Sequence, residues 1–299
     1  MRSARAGARL TLLAGIAALS LALGGAASAA GGVKASFKAI TADGSFVVFE
    51  TAARLVPSDF DSAVDVYARA GASTVLLSDR SGPGDAEIPA TFEAVNGNGS
   101  VVVFETAESL LPADTDSAVD VYERAGSSIV LLSDRSGPGD PDIPAQFKAM
   151  RSDGAIVVFE TAEPLLPADQ DSAVDVYERA GSSIVLLSDK ASGDANIPAS
   201  FKAMSDDGSI VAFQTAESLL PADSDTAQDV YERAGASTVL MSDGTSGSDA
   251  DKNATFRSMT PDGSIVVFET AERLLPEDSD SANDVYERAG ANTVLVSRS

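Results

Sequence analysis

The sequence predicts an all-β fold, a five-bladed β-propeller of four-stranded antiparallel blades, from three observations. Aromatic residues recur at a fixed interval: Phe37, Phe92, Phe147, Phe201 and Phe256; Phe49, Phe104, Phe159, Phe213 and Phe268; Tyr67, Tyr122, Tyr177, Tyr231 and Tyr286. The interval is 55 residues, with one step of 54, and such a period marks a repeat architecture before any local reading is made. Within each unit an Asx-Gly pair introduces a β-branched run, and four short apolar runs are separated by turn residues.

Residues 92–133 serve as the reference copy. Phe92-Glu93-Ala94-Val95 reads as a first strand, and Asn98-Gly99 as a tight turn into a second strand over 100–105. The equivalent turns are Asp43-Gly44, Asp153-Gly154, Asp207-Gly208 and Asp262-Gly263, so strands one and two form a hairpin. Residues 106–112, closed by Pro112, suggest one helical turn ahead of an acidic loop. Asp120-Val121-Tyr122-Glu123-Arg124 forms a third strand, Ala125-Gly126 a turn, and Ile129-Val130-Leu131-Leu132 a fourth strand. The second and fourth strands are apolar at successive positions, which requires cover on both sheet faces. Four antiparallel strands stacked face to face on like neighbours describe a propeller blade. Helical solenoids fit poorly, because the apolar runs are short, β-branched and interrupted by Asx-Gly.

The strand Gly99-Ser100-Val101-Val102-Val103-Phe104, the loop Leu110-Leu111-Pro112-Ala113-Asp114-Thr115-Asp116 and the strand Asp120-Val121-Tyr122 together resemble the WD-like β-propeller repeat of the TolB type. The resemblance extends over five copies, beginning near residues 35, 90, 145, 199 and 254, and implies a secreted bacterial propeller. TolB itself carries an additional N-terminal α/β domain, whereas only a leader is expected ahead of these repeats.

Residues 1–29 read as a secretory signal peptide, with basic Arg2, Arg5 and Arg9, an apolar stretch over 10–23 and Ala27-Ser28-Ala29 as cleavage site. The propeller domain then covers 30–299, and the protein is expected to be secreted or periplasmic, without membrane insertion after cleavage. Five whole blades favour a closed monomeric ring. No strand from one terminus completes the blade at the other, so the seam would rest on packing of blade one against blade five, or on a second molecule.

The chain has no His, no Cys and no Trp, which excludes a Ser-His-Asp triad, a thiol nucleophile, imidazole or thiolate zinc and disulfides. Lys+Arg 21 against Asp+Glu 45 gives a net charge of −24, a surface that repels nucleic acid and attracts cations.

The chemistry left is that of oxygen ligands. Each unit carries Asp-x-Asp-x-x-x-Asp: Asp59, Asp61, Asp65; Asp114, Asp116, Asp120; Asp169, Asp171, Asp175; Asp223, Asp225, Asp229; and Asp278, Asp280, Asp284. Three carboxylates in seven residues on a turn can converge on a hard cation, and Ca²⁺ prefers such ligands where Mg²⁺ keeps its waters. The offsets hold in five copies while Phe60, Thr115, Gln170, Ser224 and Ser279 vary between them. The same aspartates can instead cap turns through neighbouring N–H groups, or form a solvated acidic edge.

Arg69, Arg124, Arg179, Arg233 and Arg288 also repeat, each two residues beyond the tyrosine, and are expected to pair with acids of the adjacent blade or to cover the ring. A near-symmetric surface suits a non-enzymatic binding or scaffold module with a protein or glycan partner of the cell envelope or exterior. The alternative is a carbohydrate-active hydrolase built on a carboxylate pair, which needs an acid that breaks the repeat. Ala68, Pro164 and Gln214 break the repeat without adding one.

Overall fold

The computed structural model describes residues 32–79, 86–134, 141–188, 190, 195–242 and 252–297. The signal-peptide segment lies outside the described residues. Those from Val33 onward belong to one compact unit, Val33–Ser299. No helix among the described residues is long and apolar enough to cross a membrane.

The unit is a five-bladed all-β propeller. Blade one consists of β1 (Ala35–Ile40), β2 (Phe46–Thr51), β3 (Asp65–Ala70) and β4 (Ser73–Leu76), and blade two of β5 (Ala90–Val95), β6 (Val101–Thr106), β7 (Asp120–Ala125) and β8 (Ser128–Leu131). Blades three to five repeat this order over 145–186, 199–240 and 254–295. Every sheet is an antiparallel meander in sequence order, so each blade is made from one repeat. First strands of neighbouring blades approach one another, which places them on the inner side of the array.

Asx-Gly turns close the first hairpins, and the positive φ falls on glycine alone, at +71° for Gly44 and +74° for Gly99. The Asx residue has a different task. Asp43 Oδ1 accepts the Ser45 N–H at 3.0 Å, and Asn98, Asp153, Asp207 and Asp262 act alike. That N–H, with the Ser45 and Thr41 hydroxyls, holds the Asp43 carboxyl down at about 2.

The doubly apolar second strands are covered on both faces. Val102 belongs to a cluster shared with blade one, whereas its neighbour Val103 belongs to one shared with blade three. Phe104 lies opposite Tyr122 in register, their rings stacked 5.8 Å apart, and both are fully buried. All five Phe–Tyr pairs stack in this way within their own sheets.

One local expectation is corrected, one feature of the blades is new, and one expectation is refined. Residues 107–112 form bends rather than a helical turn, because Thr106 Oγ1 accepts the Glu108 N–H at 3.0 Å and holds the backbone in a side-chain-capped bend. The first strand bulges in every blade, leaving Lys38, Glu93, Lys148, Lys202 or Arg257 as the extra residue. The repeated arginines bind carbonyl oxygens: Nε of Arg124 donates to Gly126 O at 3.0 Å, and its Nη1 reaches Leu77 O and Asp79 O of blade one at 3.5 and 3.3 Å. Burial lowers the Arg124 guanidinium from its ordinary value, and the Asp79 charge offsets part of that.

The seam between blade five and blade one differs from the internal junctions. Four hydrophobic clusters join consecutive blades, and none among the described residues joins blade five to blade one. Phe37 and Ile40 on blade one and Val296 on blade five are 65%, 54% and 54% exposed. Every sheet among the described residues is drawn from a single repeat, so no strand among them is shared between the two ends.

Candidate functional site

The acidic loop joins the second strand of each blade to the third, and in blade two it covers residues 107–119. Leu110 anchors it in the core, and a turn closed by the Asp114 N–H on Leu111 O at 3.1 Å swings Asp114 inward. Asp114 Oδ2 then accepts the Tyr122 hydroxyl, which itself accepts the Leu110 N–H at 3.3 Å. Asp116 Oδ1 accepts the Ala118 N–H at 2.7 Å, the geometry of a turn cap. Asp120 Oδ1 accepts the Ser133 hydroxyl at 2.7 Å, and Ser133 Oγ accepts the Val121 N–H at 3.0 Å. Each carboxylate is therefore oriented by a different partner: a tyrosine on the third strand, its own turn, and a serine beyond the fourth strand.

The arrangement recurs in every blade. Tyr67, Tyr177, Tyr231 and Tyr286 donate to Asp59, Asp169, Asp223 and Asp278. Ser78, Ser188, Ser242 and Ser297 donate to Asp65, Asp175, Asp229 and Asp284. Burial in the first place, and the adjoining aspartate in the second, push each phenol well above its ordinary range, so the tyrosines remain neutral donors. The serines and the anchoring role of the tyrosine hydroxyl are what sequence reasoning missed. Their signal was present, since Ser78, Ser133, Ser188, Ser242 and Ser297 keep the period.

All five predicted triplets are brought together. In each, the three aspartates offer one oxygen apiece, and these oxygens lie within 4.8 Å of one another. Three points no farther apart than this share a centre within about 2.8 Å of each, so a small contraction would bring them to the ~2.3–2.6 Å of Ca²⁺–oxygen bonds. Asp59, Asp114, Asp169, Asp223 and Asp278 are all buried; in blade five, Asp280 is exposed and Asp284 half-buried. The buried Oδ1 of Asp59 and Oδ2 of Asp171 accept no hydrogen bond, although the other oxygen of each carboxylate does. In these two side chains the oxygen without a hydrogen bond is not the one that takes the tyrosine hydroxyl or caps the turn, and an oxygen-only donor set with buried, unsatisfied acceptors fits a hard cation.

A second acidic feature breaks the repeat. At the bulge of the first strand, blades one, three and five place Lys38, Lys148 and Arg257 on the second-strand acids Glu50, Glu160 and Glu269, at 2.8, 2.8 and 2.6 Å. Blade two has Glu93 there. Its carboxyl is pushed up to about 7 by burial, then by the charge of Glu105, against the pull of Lys38. A cleft of about 370 Å³ between blades two and three is lined by Glu105, Glu160 and Gln146.

No family model matches the chain, and no curated protein matches it. Among solved structures it is similar to a prolyl endopeptidase, at 12% identity and TM-score 0.47, over 89% of this chain and 36% of that one. The chain thus spans about a third of the length of that enzyme. It is similar as well to the β-propeller domain of the Trilobed protease from Pyrococcus furiosus, at 9% identity and TM-score 0.37, over 88% and 84% of the two chains. An oligogalacturonate lyase from Vibrio parahaemolyticus gives 12% identity and TM-score 0.36, over 88% and 78%.

Proposed function

We propose that this propeller is a non-enzymatic binding module, secreted or periplasmic, whose five Asp loops hold Ca²⁺ and whose rim or inner face meets a protein or glycan of the envelope or exterior. One observation carries the calcium reading. Three carboxylates per loop converge within 4.8 Å while separate donors from tyrosine, turn and serine fix their orientation. Bound Ca²⁺ would supply the positive charge that relieves their mutual repulsion, about 1 kcal/mol per pair at water-like dielectric. The test is metal analysis of the purified protein after dialysis against trace-metal-free buffer and re-addition of Ca²⁺ or Mg²⁺. Retention of close to five Ca²⁺ per chain supports the reading, and retention of none overturns it.

The second reading is a carbohydrate-active hydrolase, and a specific observation favours it. Glu93 and Glu105 form an acidic pair found in blade two alone, and burial raises both carboxyls, that of Glu93 to about 7. A protonated acid beside an ionised one is the electrostatic division of labour that glycoside cleavage uses. Assay against a panel of polysaccharides near pH 6, with Glu93→Gln and Glu105→Gln as controls, separates the readings. Turnover abolished by both substitutions selects the hydrolase, and no turnover on any substrate selects the binding module.

A further inference from the structure

We infer that the two end faces of the propeller are the two halves of one docking surface, and that their occupant is a second copy of this chain, with blade five of one copy packing on blade one of the next. The internal junctions share one plan, seen most fully between blades one and two. The leading blade contributes the face of Val48, Val66 and Leu77, and the following blade lays Phe92, Val102 and Leu110 on it. Blade five repeats the first set as Val267, Val285 and Val296, and blade one repeats the second as Phe37, Val47 and Leu55.

At these ends the same residue types lose their cover. Val66, Val121, Val176 and Val230 are fully buried, whereas Val285 is half-buried; Leu77, Leu132, Leu187 and Met241 are buried, whereas Val296 is 54% exposed. Leu110, Leu165, Leu219 and Leu274 are buried, whereas Leu55 is 45% exposed. Single exposed apolar residues are ordinary, but two matched faces at opposite ends of one array are not.

The polar half of the junction is present as well. Glu50 holds Lys38 with Oε2 and accepts the Phe92 N–H of the next blade with Oε1 at 2.7 Å; Glu105 and Glu160 accept Phe147 N–H and Phe201 N–H likewise. Glu269 holds Arg257 with Oε2 in the same manner, which turns its Oε1 to the role of acceptor for the Phe37 N–H of another copy. Shape agrees. A Cβ on Gly99, Gly154, Gly208 or Gly263 would strike the preceding blade, whereas one on Gly44 would meet only its own Ile40, at 3.9 Å, so blade one keeps an unfilled seat for Ile265 of another copy. The contact is heterologous, so it closes into a ring or extends into a chain of copies according to the rotation per junction.

The test is light-scattering mass measurement of the full chain and of Phe37→Asp and Val296→Asp, substitutions on opposite faces at exposed positions. The wild type is expected at twice the single-chain mass or more, rising with NaCl as the negative surfaces are screened. Each variant is expected at single-chain mass with unchanged circular dichroism. An equimolar mixture of the two variants is expected to recover a two-chain species, because one intact face of each kind remains. A wild type at single-chain mass over the micromolar range overturns the proposal, whether the faces stay open or close on each other within one chain. A mixture that stays at single-chain mass overturns the blade-five-to-blade-one geometry.

Discussion

Tyr122 gives its phenolic hydrogen to Asp114, eight residues earlier in the chain, and in the same position accepts the N–H of Leu110. One hydroxyl thus ties the acidic loop to the sheet that carries it, and the stack of Phe104 on Tyr122 fixes that hydroxyl in place.

Tyr122→Phe keeps the stack and removes the tie. Asp114 loses a buried donor to a charged acceptor, worth about 1.5–3 kcal/mol, and urea unfolding should register a loss of that size. Ca²⁺ affinity should fall with it, because the carboxylate is no longer oriented. Unchanged stability would show that the hydroxyl is dispensable.

Ser133→Ala removes the donor to Asp120 and the acceptor for the Val121 N–H together. An expected loss of about 1–3 kcal/mol reflects two buried groups left unmatched. Ser133→Thr, which keeps the hydroxyl, should recover most of it in the same unfolding experiment.

Gly99→Ala and Gly44→Ala separate backbone strain from contact between blades. Both glycines have positive φ, but a Cβ on Gly99 would lie 2.5 Å from Phe46 Cγ, whereas one on Gly44 meets nothing closer than 3.9 Å. Each should lose about 1–2 kcal/mol from the left-handed conformation, with a further loss for Gly99→Ala alone from the clash. Equal thermal shifts in monomeric samples would contradict the blade packing described above.

Glu93 makes stability depend on pH in a defined direction. Its folded value of about 7 exceeds the ordinary 4.5, so its protonated form is the one the fold favours. The contribution is fully present below pH 4.5 and is lost as pH rises through 7. Glu93→Gln should therefore flatten that segment of the stability profile and leave the variant more stable than the wild type at pH 8. A parallel profile for the two proteins would exclude Glu93 as its source.

The blade plan was legible in the sequence because period, Asx-Gly turns and doubly apolar strands all depend on residue type and spacing. The Asp offsets were legible for the same reason. The bulge was not, because Lys38 and its equivalents sit in runs that also read as regular strand, and only pairing reveals that Phe92 and Ala94 face adjacent residues Phe104 and Val103. Glu93 escaped notice because a charge reversal matters only once the Lys38–Glu50 contact of the neighbouring blade is known. Packing of blade one on blade five and pairing with a second molecule both stayed open in the sequence, because Phe37 and Val285 are the same residue types as their buried counterparts.

The most direct test of the Asp loops is a melting curve in millimolar CaCl₂ against NaCl of equal ionic strength, with EDTA as the lower limit. On the proposed reading each of the five Asp triplets takes one divalent ion in the folded chain, which would add ~2.7 kcal/mol per site at a hundredfold excess over the dissociation constant. The account predicts a melting temperature clearly higher in CaCl₂ than in matched NaCl, and lower in EDTA. Superimposable curves in CaCl₂ and NaCl would mean that the carboxylates respond to screening alone and serve as turn caps, contradicting the calcium assignment.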